Sequence, residues 1–122
     1  MAVPSQRRTT NAKRQVNFQD YQDQVQNWIT NNYPAYTPSQ AALHVCEEAG
    51  ELARAQLKLE QGVRGTADHW RTNIQEEVGD ILNALVAVCM TNNLVLKECA
   101  EQASKKLDGQ NWLHYPINGR DL

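Results

Sequence analysis

Two short acidic blocks, Glu47-Glu48-Ala49-Gly50-Glu51-Leu52 and Glu76-Glu77-Val78-Gly79-Asp80-Ile81, repeat one pattern 29 residues apart. Glu48 and Glu51 are three residues apart, as are Glu77 and Asp80, so on helices each pair sits about 60° apart on one face. Val45 and Leu52 flank the first pair and Ile74 and Ile81 the second, so burying the two apolar stripes together draws the four carboxylates toward one cleft. Like charges about 4 Å apart repel by roughly 1 kcal/mol in water and about 4 kcal/mol at an effective dielectric of 20. A hard dication relieves that repulsion. An all-oxygen set without His or Cys suits Mg²⁺, with Mn²⁺ as a substitute, rather than Zn²⁺ or Cu²⁺. A ferritin-like di-iron site needs Glu-x-x-His pairs, and the chain has none. A glycine inside a helix costs about 1 kcal/mol relative to alanine. Its occurrence at the same place in both blocks predicts a constraint such as close helix approach beside the acids.

These acids need helices to carry them, and four are legible. The first runs from about Phe18 to Asn31, with Asn17 as N-cap and Phe18, Tyr21, Val25, Trp28 and Ile29 on its apolar side, the other face being Gln and Asp. Asn32-Tyr33-Pro34-Ala35-Tyr36 then breaks the pattern. Thr37-Pro38-Ser39-Gln40 is a capping box with proline at the first helical position, and the second helix stops near Gly62. Its expected buried stripe is Ala41, Val45, Ala49, Leu52, Gln56 and Leu59, widened by Ala42, Cys46 and Ala53. The third helix runs from about Ala67 to Asn92 behind a Thr66 cap, with Trp70, Ile74, Val78, Ile81, Leu82, Leu85 and Cys89 inward. The fourth, about Leu96 to Leu107, shows Leu96, Ala100, Ala103 and Leu107 before Asp108-Gly109 ends it. No segment alternates long enough to argue for a sheet, so the class is all-α, a four-helix bundle.

One domain, residues 18–109, is expected at this length, with a basic N-terminal arm (1–17) and a tail (110–122) whose Trp112, Tyr115 and Ile117 call for packing. The net charge of −2 conceals an asymmetry: Arg7, Arg8, Lys13 and Arg14 stand in the arm without an acid, and the remainder carries six more acids than bases. Four charges without an apolar face predict a solvated or partner-packed arm, and no nucleic-acid partner is expected. The longest nearly apolar run, Ile81 to Met90, is about half of what a membrane span requires. Cys46, Cys89 and Cys99 have no C-x-x-C spacing and read as buried free thiols of a cytoplasmic protein.

The paired acids, their glycines and their separation of 25 residues resemble the MazG-like all-α NTP pyrophosphatase superfamily, whose hallmark is E-x-x-E followed by E-x-x-D. The likeness extends over about Phe18 to Tyr115. Thr37-Pro38, Leu43 and Glu48, with Lys106-Leu107-Asp108 and Tyr115-Pro116 further on, resemble its dCTP pyrophosphatase branch. That resemblance implies a helical bundle forming homodimers or dimer-based tetramers and Mg²⁺ held by Glu48, Glu51, Glu77 and Asp80. It also implies hydrolysis of a (d)NTP to (d)NMP and pyrophosphate, in housecleaning of damaged triphosphates or in pool control. Substrate contacts are expected from Lys106, Asn83 and His44, with Tyr33 and Tyr36 available to stack on a base. Glu47 and Glu76 are the candidates for activating water. Two other readings use the same acids: a phosphoribosyl-ATP pyrophosphatase-like enzyme, separable by its substrate, and a non-catalytic helical regulatory or assembly protein, separable by Mg²⁺ binding. A P-loop and the H-E-x-x-H motif are both absent from the sequence.

Overall fold

A computed structural model of the chain describes residues 15–110, which form four helices without a strand: α1 (Phe18–Asn32), α2 (Pro38–Gln61), α3 (Ala67–Thr91) and α4 (Leu96–Asp108). The basic arm up to residue 14 and the tail from residue 111 lie outside the described residues, as does the packing expected of Trp112, Tyr115 and Ile117.

The helix starts lie where short polar side chains can satisfy open backbone N–H groups. Asn17 accepts from the Asp20 amide, and Thr66 from the His69 amide. Thr37 and Gln40 form the reciprocal capping box, with Pro38 behind it. Helix α2 ends on Gly62, whose φ of 69° is left-handed backbone. That conformation carries no Cβ penalty in glycine. The turn that follows brings Trp70 Nε1 to 3.1 Å from the Val63 carbonyl.

This short connection folds α3 back along α2, and the two pack over their lengths as the principal pair, while α1 lies on α3 and α4 on α1. The main core gathers Val25 and Ile29 of α1, Ala41 of α2, Val86, Ala87 and Cys89 of α3, and Leu96 of α4. Small side chains at Ala41, Ala84 and Ala87 let the helices approach closely there.

Helix α4 lacks a side-chain cap of its own, because Val95 occupies that position. Gln22 of α1 supplies it instead: its Oε1 accepts from the Leu96 amide at 2.7 Å and its Nε2 donates to the Leu94 carbonyl at 2.9 Å. Gln22, from the Gln and Asp face of α1, is buried. A buried amide is tolerated because its donor and acceptor both find partners.

Several apolar positions expected in the core stand open in the single chain. Phe18, Trp28, Val78, Leu82, Leu85 and Leu107 are exposed, as are Ala42, Cys46, Ala49, Ala53 and Gln56 on α2. The buried line of α2 is instead centred on Ala41, Glu48, Leu52 and Ala55, rotated so that one acid faces inward. Of the three thiols expected to be buried, Cys89 is buried, Cys99 half-buried and Cys46 exposed, because Cys46 falls on the outer side of that rotated line. Among the described residues, no single helix is long and apolar enough to cross a membrane.

Candidate metal and substrate site

The two acidic blocks meet midway along the α2–α3 pair. One carboxylate oxygen from each of Glu48, Glu51 and Glu77 lies within 4.8 Å of the others. Glu48 and Glu77 point inward, whereas Glu51 is exposed and closes the cluster from the solvent side. Glu48 Oε2 and Glu77 Oε2 are buried with no hydrogen-bond partner. Two orphaned acceptors on acidic side chains are a costly arrangement unless something positive reaches them. Burial pushes the Glu77 carboxyl up from 4.5 to about 7, helped by a hydrogen bond with Glu51 and by the charges of Glu51, Asp80 and Glu48. Three converging acidic side chains, two of which carry a buried oxygen without a partner, fit a hard divalent cation.

Asp80 is exposed and stands apart from that triple, near enough for its charge to act on Glu77 and on Tyr21. It lines a cleft of about 1000 Å³ that opens beside the acids, bordered also by Glu47, Glu48, His44 and Asn83. Asn83 accepts through its Oδ1 from the Tyr21 hydroxyl, which leaves the Asn83 amide N–H groups for the cleft. Burial raises the Tyr21 phenol, with the Asp80 charge acting in the same sense, so it stays protonated and able to donate.

Part of the lining is aromatic. The rings of Trp28 and Tyr33 lie 5.7 Å apart and those of Tyr33 and Tyr36 5.9 Å apart, all tilted, and all three residues line the cleft. Trp28 therefore belongs to this lining and not to the core stripe expected of it. Trp70, the other tryptophan expected inside, is buried beneath the Arg54 guanidinium. Tyr21, expected only as a core residue, also reaches the cleft, since its ring packs on the core while its hydroxyl meets Asn83. Lys106 sits exposed in the last turn of α4 and does not line the cleft. Of the two acids considered for handling water, Glu47 borders the cleft and Glu76 is exposed outside its lining.

A Cβ added at Gly50 or at Gly79 would meet open space, so no close helix approach among the described residues explains either glycine. The constraint expected there is not supplied by the packing of α2 on α3.

The family model of the MazG nucleotide pyrophosphohydrolase domain matches residues 36–111, more than half of the chain. The chain belongs to the MazG family. No curated protein and no solved structure matches it. The matched MazG segment starts at Tyr36 and holds α2, α3 and α4 with both acidic blocks. Helix α1, with Tyr21 and Trp28, lies before it, so one wall of the cleft comes from outside the region that defines the family.

Proposed function

We propose that this MazG-family chain is a Mg²⁺-dependent nucleoside triphosphate pyrophosphohydrolase that converts a (d)NTP and water to (d)NMP and pyrophosphate. The observation carrying this reading is the convergence of Glu48, Glu51 and Glu77, two of them with a buried, unpartnered oxygen, beside a cleft lined in part by aromatic rings. The acids suit a cation and the phosphates it neutralises; the rings suit a flat base.

Glu48, Glu51 and Glu77 would hold Mg²⁺, and Asp80, at the cleft edge, would complete the set as the phosphates arrive. When bound, the ion offsets phosphate charge and lowers the pKa of water. The remaining work falls to side chains. The bond between the α- and β-phosphates breaks, the oxygen of water ends on phosphorus, and the proton that water gives up needs a base. Glu47 is the better placed of the two acids considered for that role, since it borders the cleft. Trp28, Tyr33 and Tyr36 would stack against the base, and the Asn83 amide would donate to an acceptor on base or sugar. A protein with this activity would serve nucleotide-pool housecleaning, as a homodimer or a dimer-based tetramer in the cytoplasm.

The test is a panel of canonical and modified (d)NTPs, together with phosphoribosyl-ATP, incubated with Mg²⁺ while the products are separated. Pyrophosphate and nucleoside monophosphate in equal amounts are expected. Orthophosphate and nucleoside diphosphate as products, or no turnover on any triphosphate by a protein that binds Mg²⁺, would overturn the reading.

A further inference from the structure

The Glu48 carboxylate divides its oxygens between two tasks. Oε1 lies 3.0 Å from His44 Nε2, whereas Oε2 is buried without a partner. His44 is held in turn from its other side, where the Tyr36 hydroxyl stands 3.2 Å from Nδ1. A carboxylate only accepts, so Nε2 carries the imidazole hydrogen, and Nδ1 is left to accept from the phenol. One neutral tautomer therefore satisfies both contacts. Burial raises the Tyr36 phenol, with Tyr33 and Glu47 acting the same way, which keeps its hydrogen in place for His44.

The anchor of this chain is firm. The Tyr36 amide donates to the Tyr33 carbonyl at 3.2 Å, and Thr37, the next residue, is the N-cap that opens α2. His44 and Glu48 then follow one turn apart on that helix, so three side chains tie the helix start to the carboxylate. Glu47 also approaches His44 Nε2, at 3.8 Å, but it is largely exposed and competes weakly for the same N–H.

We propose that Tyr36 and His44 are positioning residues that fix the Glu48 carboxylate with Oε2 turned toward Glu51 and Glu77, and so raise the affinity of the acidic cluster for a divalent cation. This rests on the reading of Glu48, Glu51 and Glu77 as cation ligands. Left to itself, the Glu48 side chain would turn away from Glu51 and Glu77 toward water. The His44 N–H binds Oε1 and holds the carboxylate in place before any ion arrives. Partners that orient a ligand from behind typically contribute about 10–100-fold in metal affinity.

The experiment measures Mn²⁺ binding to the full chain without nucleotide, by the electron paramagnetic resonance signal of free Mn²⁺, with thermal unfolding as a check on folding. His44→Ala is expected to weaken binding by about 10–100-fold. His44→Gln, whose amide N–H can reach the carboxylate, recovers most of that loss. Tyr36→Phe acts in the same direction by a smaller factor, and adds nothing when His44 is already alanine. A folded His44→Ala protein with wild-type affinity would overturn the proposal. So would a His44→Gln protein no better than His44→Ala, or a Tyr36→Phe effect as large in the alanine background as in the wild type. A different pattern marks failure of the underlying site: wild-type protein that takes up no Mn²⁺, or Glu48→Gln protein that binds it as well as wild type, removes Glu48 as a ligand and the relay with it.

Discussion

Glu77 of α3 and Glu51 of α2 bring a carboxylate oxygen each within 4.8 Å across the interface of the two helices, with Glu48 beside them. Burial, together with the acids around it, raises the Glu77 carboxyl from 4.5 to about 7.

The pH dependence of the metal-free protein follows from this. Between 4.5 and about 7 the folded chain retains a proton on Glu77 that the unfolded chain has released. This contribution to stability is therefore fully present below that window, declines as the pH rises through it, and is constant above. In EDTA the urea midpoint of the wild type is expected to be higher at pH 5 than at pH 8. Glu77→Gln, which can donate to Glu51 at either pH, should largely abolish the difference. Equal pH dependence in wild type and variant would show that Glu77 titrates normally.

A second prediction concerns the acids as a set. Replacing Glu48, Glu51 or Glu77 by Gln, or Asp80 by Asn, should lower turnover by roughly a hundredfold or more, since each removes charge from the cation site. Excess EDTA should abolish turnover, and Mg²⁺ or Mn²⁺ should restore it. Metal-free thermal stability should stay level or rise in these variants, because repulsion is relieved. Full activity in a variant at any one position would remove that residue from the site.

The sequence makes local features of this molecule legible and leaves its long-range ones obscure. Asn17, the Thr37–Gln40 box, Thr66 and Gly62 mark helix ends through contacts within three or four residues, and all four marks act as expected. The start of α4 is different, for its cap is Gln22, 74 residues earlier, and no local pattern encodes that pairing. The site divides in the same way. The spacing of Glu48, Glu51 and Glu77 points to their convergence, because helix geometry fixes the faces. The hydrogen bond of Tyr36 to His44 depends on how the linker turns into α2, and that of Tyr21 to Asn83 on how α1 lies over α3. Helical periodicity carries neither relation.

The Gln22 cap yields a third prediction. Gln22→Ala removes the partner of the Leu94 carbonyl and leaves the amide of buried Leu96 unsatisfied, at a cost of about 1–3 kcal/mol for such a buried group. Thermal unfolding should shift downward, and hydrogen exchange should quicken at the first turn of α4 before it does in α2. Unchanged protection at Leu96 would mean that water or another side chain replaces the cap.

The fourth prediction is that the protein is an obligate oligomer, most simply a two-fold dimer. Val78, Leu82 and Leu85 lie along one stripe of α3 and are 52%, 38% and 39% exposed, more than large side chains in a helix-packing seam would be. Leu43 and Leu57 on α2 are 69% and 53% exposed, with Ala42, Ala49 and Ala53 open as well. Those two helices form the principal pair of the chain, so their outer faces are left for something else to cover. A second copy offers the same stripes, and a two-fold axis buries both at once. Light scattering at micromolar concentration should report at least twice the 13.8 kDa chain mass. Leu82→Glu places a charge in the middle of the α3 stripe and should yield a smaller species with lower thermal stability, since a second copy would cover the exposed part of this side chain. A wild-type monomer that is folded and active at that concentration would show that the exposed stripes are not an interface between copies.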